Sequence, residues 1–351
     1  MKSLYLIGAP GSGKTAVALG LALKLRKEGL NPGYFKPVGT TAGVLGKHDD
    51  DGVLMQKVLG MDEDLETIVP FTVANFYISN FKQPDKCRER VLECYNRIAA
   101  KYECVIIDGT SFPWVMASFG LDAMTLAQEL GAGILCTIQV ENDFDFDEAL
   151  FFNRHAESRG VEVVGTIFNN IPRQMLAKTE GVYSRLLTGF GYEFLGAIPS
   201  RREIYSPTVA EYQETLQGEV LAGEDHLDLL VEDVLVGAMT IESALDTLRR
   251  ALNKAVIIGG DRSDYALAAL ETSTSVLILT GGLYPNIRVI ARAEEKGVPV
   301  ILVHYDTVTT VERISEVTRR IKPKDSKAIA MALENIEQYC RWELIMQRLK
   351  A

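Results

Sequence analysis

The chain has 351 residues, 47% of them hydrophobic and 24% charged, with a formal net charge of −10. That length suits about two domains of ~150 residues and an ordinary globular core, and the acidic balance argues against a nucleic-acid backbone as a partner. The five cysteines, Cys87, Cys94, Cys104, Cys136 and Cys340, form no C-x-x-C pair, which argues against a disulfide framework or a thiolate metal site and fits reduced thiols in a cytoplasm.

The chain opens on "SLYLI" (3–7), an apolar run too short for a secretory signal that leads directly into "GAPGSGKT" (8–15). No stretch of 18 uncharged apolar residues follows anywhere, so no membrane span is expected. Gly8 to Thr15 fits G-x-x-x-x-G-K-[ST], the pattern of a phosphate-binding loop. In such a loop the backbone N–H groups around Gly8, Gly11, Ser12 and Gly13 turn toward phosphate oxygens. Lys14 would place its ammonium on the outer phosphates, and Thr15 would give its hydroxyl to Mg²⁺. The helix expected over 14–29 adds the positive end of its dipole. Its apolar face is expected at Ala16, Leu19, Leu23 and Leu25, with Lys24, Arg26 and Lys27 at a charged end closed by Gly29. A turn that binds nothing is the alternative, but both flanks suit a nucleotide.

Further strands are expected at "GYFKP" (33–37), "CVIID" (104–108), "GILCTIQV" (133–140), "VEVVGTIF" (161–168) and "EFLGAIP" (193–199). Their alternation with helix-length segments predicts an α/β fold with a parallel sheet covered on both faces. Lys36 ends the second strand, where ligands bind in open sheets of this kind, although a surface lysine would read the same way. "KHDDDGVLMQ" (47–56) is either a solvated acidic cap or an oxygen site for Mg²⁺. Asp108 ends a buried strand before Gly109, a place for a metal-binding carboxylate or for a loop cap. Asn169 or Asn170 ends another strand, where an amide can read a nucleobase edge or simply close a turn.

Polar "SRREIYSPTVAE" (200–211) reads as a linker. Beyond it, strands are expected within "VEDVLVGAM" (231–239), "KAVIIGGD" (254–261), "SVLILTGG" (275–282) and "VPVILVHYD" (298–306), with helices over 241–252 and 264–271. The end, 326–350, predicts one amphipathic helix with a stripe of Ile329, Leu333, Ile336, Tyr339 and Cys340. The domains are therefore expected at 1–206 and 207–322, followed by a C-terminal helix over 323–351.

The loop, the Lys-Pro strand end, the Asp before a helix, the acidic-Gly strand end and the Gly-x-x-x-Asn of "GTIFNN", in that order, resemble dethiobiotin synthetase. The resemblance implies an ATP site with Lys14 and Thr15 in the loop and Lys36 and Thr40 at a second reactant. It puts Asp51 and Asp108 on Mg²⁺, with Asp51 chosen because it stands five residues before Gln56, and it sets Asn169 on the adenine. Lys14, Lys36 and Thr40 would be the catalytic set. Two segments depart from that family, "APGS" inside the loop and "GTSFPWV" after Asp108. The second half resembles a DRTGG-type domain, through Gly260-Asp261-Arg262-Ser263-Asp264 and Thr280-Gly281-Gly282. The combination resembles the N-terminal, non-catalytic part of long bacterial phosphotransacetylases. It implies an ATP- and Mg²⁺-binding regulatory or sensing protein, with a cytoplasmic location and a homodimeric state expected. An ATP-dependent ligase or carboxylase acting on a small amine or carboxylate, and a nucleotide-driven partner switch, are the alternatives. The paired glycine turns of the second domain, "GGDR" and "TGG", are open to three readings: a site for a small anionic ligand, a dimer contact, or tight turns alone.

Overall fold

The computed structural model describes residues 2–40, 49–73, 77–79, 83–315, 317 and 319–350. Lys47 and His48 of "KHDDDGVLMQ" lie outside the described residues. The chain divides into two compact units, Met1–Ile204 with Ile321–Ala351, and Tyr205–Arg320.

The first unit is built on six strands, β1 (Ser3–Ile7), β2 (Pro32–Phe35), β5 (Cys104–Asp108), β6 (Ala132–Gln139), β7 (Val163–Ile171) and β8 (Phe194–Pro199). They lie in the order β2-β5-β1-β6-β7-β8, and every pairing is parallel. β1 is buried along its whole length, as a central strand with helices on both faces must be. A separate parallel pair joins β3 (Val38–Thr40) to β4 (Phe71–Val73). The chain runs left of β1 to β2 and later right of it to β6, so a crevice opens above the carboxyl end of β1. The register sets Leu6 beside Asp108 and Gln139 beside Asn169, which brings the ends of β1, β5, β6 and β7 to one edge.

Helix α1 (Lys14–Lys27) starts at that crevice. Four apolar positions were expected to face the core, but Val17, Ala18, Leu19, Leu21, Ala22 and Leu25 are all buried, and so is Lys24. The reason is a second cover. The C-terminal stretch, expected as one helix, forms two, Ser326–Tyr339 and Trp342–Lys350. They part where the Arg341 N–H donates to the Leu195 carbonyl and Cys340 bridges to Gly196. The first of the two lies against α1, and a Cβ at Gly20 would run into the Ala332 carbonyl and Ile336. The ammonium of Lys24 meets Glu337 at 3.2 Å and stands 4.1 Å over the Trp342 ring. Of the expected stripe, Ile336 and Cys340 are buried, while Ile329, Leu333 and Tyr339 are half-buried. Ala332 and Ile336 meet Gly20 instead, and Ala328 is buried as well.

The second unit holds five strands, β9 (Glu219–Ala222), β10 (Asp233–Val236), β11 (Lys254–Gly259), β12 (Thr274–Thr280) and β13 (Val300–Leu302), in the order β10-β11-β12-β13-β9. Four run parallel, and β9 closes the edge antiparallel to β13. β9 is not among the strands expected from the sequence, and its residues are exposed or half-buried apart from Ala222.

A leucine at Gly20 should push helix Ser326–Tyr339 off α1. The expected cost is about 1–3 kcal/mol of unfolding free energy, read from the denaturant midpoint of the full chain. An unchanged midpoint would show that this helix does not dock on α1.

Candidate functional site

The loop between β1 and α1 is fixed by three constraints. A Cβ on Gly8 would collide with the Thr137 carbonyl on β6, so no other residue fits. Gly11 and Gly13 both have φ of 77°, the left-handed region that L side chains avoid. The Asn169 side-chain amide donates to the Ser12 carbonyl at 2.8 Å. Among the described residues, the backbone N–H groups of Gly13, Lys14 and Thr15 find no internal acceptor. They stand at a helix start, an arrangement that favours an anion.

Lys14 is buried, and its ammonium donates to the Gly8 and Ala9 carbonyls, both at 3.0 Å. Burial pulls its pKa down to about 8, with Lys36 adding to the pull while Asp108, Asp51 and Glu148 oppose it. Thr15 donates its hydroxyl to Asp108 Oδ2 at 2.9 Å, and Tyr34 donates to the same oxygen at 2.9 Å. Asp108 Oδ1 is buried with no hydrogen-bond partner among the described residues. Burial raises the pKa of this carboxyl, against the pull of the Lys36 and Lys14 charges.

Lys36 follows β2 and is 5% exposed. Its ammonium reaches Asp49 at 3.0 Å and Asp51 at 2.5 Å. Burial alone would lower its pKa, but Asp51, Asp49 and Asp108 outweigh that and hold it above the ordinary lysine range. Asp49 is the N-cap of α2 (Asp50–Leu59), and it accepts the Gly52 N–H at 3.0 Å and the Thr40 N–H at 2.9 Å. So the candidate residues Lys14, Thr15, Lys36, Asp51 and Asp108 fall in one connected cluster. Thr40 joins it through its backbone N–H, and Asn169 joins the loop from below. Two members were missed. Asp49 could have been found as the cap of α2, since Asp-x-x-Gly suits an N-cap whose side chain accepts the third amide. Tyr34 lies two residues before Lys36 on an extended segment, hence on the same face.

The oxygens present suit a magnesium ion. Mg²⁺ takes one or two carboxylates, a hydroxyl and phosphate oxygens more often than a protein cage. Among the described residues no group of three or more His, Cys, Asp or Glu could hold a metal alone. The orphaned Asp108 Oδ1 and the Thr15 hydroxyl beside it are hard oxygen donors of the right kind.

In the second unit the glycine turns have internal partners. A Cβ on Gly260 would run into the Leu283 carbonyl. Arg262 donates to the Gly237 and Met239 carbonyls at 2.5 and 3.0 Å and covers the Tyr265 ring. Gly281 and Gly282 donate their N–H groups to the Tyr305 and Val303 carbonyls.

A family profile for an AAA domain matches residues 2–208, and one for a DRTGG domain matches 211–317. The chain belongs to the AAA domain family. Its first domain is a P-loop NTPase domain, of a kind that binds nucleotide, and a DRTGG domain follows. The chain is 25% identical over 358 residues to a phosphate acetyltransferase of Nitratidesulfovibrio vulgaris, covering 96% of this chain and 50% of that protein. It is 27% identical over 169 residues to an ATP-dependent dethiobiotin synthetase of Methanocaldococcus jannaschii, covering 46% of this chain and 76% of that one. The chain thus spans about half the length of the phosphate acetyltransferases it matches. Among solved structures, a MinC:MinD cell division complex of Aquifex aeolicus covers 58% of the chain at 15% identity and a TM-score of 0.36. The CBS and DRTGG domains of a Clostridium perfringens pyrophosphatase, complexed with diadenosine tetraphosphate, cover 48% at 15% identity and a TM-score of 0.29. Among the described residues no helix is long and apolar enough to cross a membrane.

Replacing Asp49 by alanine removes a buried carboxylate that serves Lys36 and two amides. The full chain should lose about 3 kcal/mol of stability by denaturant unfolding, and Asp51→Ala, at a more exposed carboxylate, should lose less. Equal losses would show that Asp49 is not the anchor.

Proposed function

We propose that the first domain binds ATP together with Mg²⁺ and that the chain uses the bound nucleotide for regulation or metabolite sensing. The observation that carries the ion is the charge balance of the crevice. Among the described residues, Asp49, Asp51 and Asp108 stand against Lys14 and Lys36. A triphosphate would enter a site already short of positive charge, so a divalent cation must come with it. Thr15 and Asp108 would hold that ion, with Asp51 nearby. When bound, it supplies a counter-charge for the outer phosphates. Lys14 then exchanges two neutral carbonyl acceptors for phosphate oxygens, a stronger, charge-assisted bond. The unspent amides of Gly13 to Thr15 would take the remaining oxygens, and Asn169, which holds the loop through the Ser12 carbonyl, would stand toward the adenine.

Two things support sensing over turnover. Lys36, the residue expected to grip a second reactant, is already held by two carboxylates. The phosphate acetyltransferases named among the relatives match over 90% or more of the chain, whereas the dethiobiotin synthetases match 46 to 64% of it. A cytoplasmic location and a homodimeric state belong to the same proposal. The ligase reading keeps one supporting observation, the place of Lys36 and Thr40 beside the loop. A screen of amines and carboxylates for stimulated phosphate release decides between them: a large stimulation by one compound overturns sensing, and slow, unresponsive release overturns the ligase.

The nucleotide proposal has its own test. Calorimetry should show ATP binding that needs Mg²⁺ and is lost in Lys14→Ala; undiminished affinity in that variant sinks it. The pKa of about 8 for Lys14 adds a pH dependence. Below that value the side chain is an ammonium and affinity is level. As pH rises through it, a proton must be taken up on binding, so affinity at pH 9 should be about tenfold below that at pH 7. Lys14→Arg should remove the slope, because a guanidinium does not titrate there.

A further inference from the structure

A cavity of about 340 Å³ opens beside α2, lined by Asp49, Leu65, Glu66, Val69, Phe71 and Arg90 among others. Its size falls at the lower end of small-molecule pockets, roughly 300–1,000 Å³. Among the described residues none of the phosphate loop lines it, and it meets the nucleotide crevice at Asp49. Its wall has three kinds of surface. Leu65, Val69 and Phe71 are apolar. Asp49 is neutralised, since Lys36, the Gly52 N–H and the Thr40 N–H take its lone pairs. Among the described lining residues the remaining charges are one anion and one cation. Glu66 is exposed, and Arg90, on helix Pro84–Ala99, is half-buried. Among the described residues no hydrogen bond or ion pair joins either side chain to a partner or to each other, although Asp64 lies close enough to feel the Arg90 charge.

We propose that this cavity binds a small zwitterion of the amino-acid class with an apolar side chain. Its carboxylate would sit on Arg90 and its ammonium at Glu66, with the side chain against Leu65, Val69 and Phe71. A simple carboxylate would leave Glu66 unanswered and crowd it with like charge, and a simple amine would do the same to Arg90. A zwitterion answers both, and an Arg fork suits a carboxylate in particular. The ligand would lie against Asp49, whose carboxylate also anchors Lys36. Occupancy would thereby tighten or loosen the Lys36 ammonium beside the phosphate loop. This deepens the sensing reading and rests on it only for that coupling; the binding step stands without nucleotide.

The test is calorimetry on the full chain, first without nucleotide. L-leucine and L-phenylalanine should bind at or below about 1 mM. The deaminated analogue 4-methylpentanoate and the decarboxylated analogue 3-methylbutylamine should bind at least about tenfold more weakly. Arg90→Gln should weaken leucine about tenfold or more, and Glu66→Gln several-fold, while both variants keep their Mg²⁺–ATP affinity and so report a folded protein. Leucine should then shift the apparent Mg²⁺–ATP affinity of the wild type, and leave that of Arg90→Gln unmoved. No heat from any amino acid at 10 mM, equal binding of the analogues, or equal binding by Arg90→Gln overturns the site. Leucine binding with no shift in nucleotide affinity overturns the coupling alone. Leucine binding in a protein that ignores Mg²⁺–ATP overturns the nucleotide reading and leaves the cavity standing.

Discussion

Everything at the carboxyl edge of the first sheet follows from the difficulty of burying charge. Lys14, Lys36, Asp49 and Asp108 are each less than a tenth exposed. An unpaired buried ion costs several kcal/mol, so each must find a partner within the fold. Lys36 takes Asp49 and Asp51, Asp108 takes Thr15 and Tyr34, and Lys14 takes the carbonyls of its own loop. These pairs work only if β1, β2 and β5 end level with one another. The register Leu6 to Asp108 and Phe35 to Ile107 provides that. A slip of one residue would turn Asp108 to the opposite face of the sheet and strand the Thr15 hydroxyl.

The pairing is uneven. Lys36 and the outer carboxylates close on one another, but Lys14 settles for neutral oxygens, and Asp108 keeps one oxygen with no partner among the described residues. The Ser12 hydroxyl is likewise buried without a partner among the described residues. These are the groups that would gain most if an anion and a cation arrived together. A loop whose lysine already had a carboxylate would have to break an ion pair to bind phosphate. Here it breaks two hydrogen bonds to carbonyls, so the loop is preset for exchange and not locked against it.

The sequence was legible where one residue type alone could do the job. Gly8 must be glycine because the Thr137 carbonyl fills the space of its Cβ, and Gly11 and Gly13 must turn left-handed. The strand ends at Lys36 and Asp108 were readable because buried apolar runs stop there at polar residues on one edge, whereas β7 runs on past Asn169 to Ile171. What could not be read depended on partners far away in the chain. Three carboxylates in a row, Asp49 to Asp51, look alike until the fold shows which one caps α2 and meets Lys36. Thr40 is engaged through its main chain, which its side chain does not announce. The break near Cys340 arises because β8 offers Arg341 a carbonyl, a contact across almost 150 residues of sequence that no periodicity contains.

The family profiles end at residue 317, yet Ala332, Ile336, Cys340, Ile345 and Leu349 belong to the core of the first unit. α1 explains why. A glycine inside a helix costs roughly 1 kcal/mol relative to alanine, and Gly20 recovers that only through the close approach of Ala332 and Ile336. Lys24 is buried on the same side, with Glu28, Glu337 and the Trp342 ring around its ammonium. Without residues 326–350 the helix that begins at Lys14 would carry a bare glycine notch and an apolar flank open to water. Those residues are therefore part of the nucleotide-binding unit, although they come after the whole DRTGG domain in the chain.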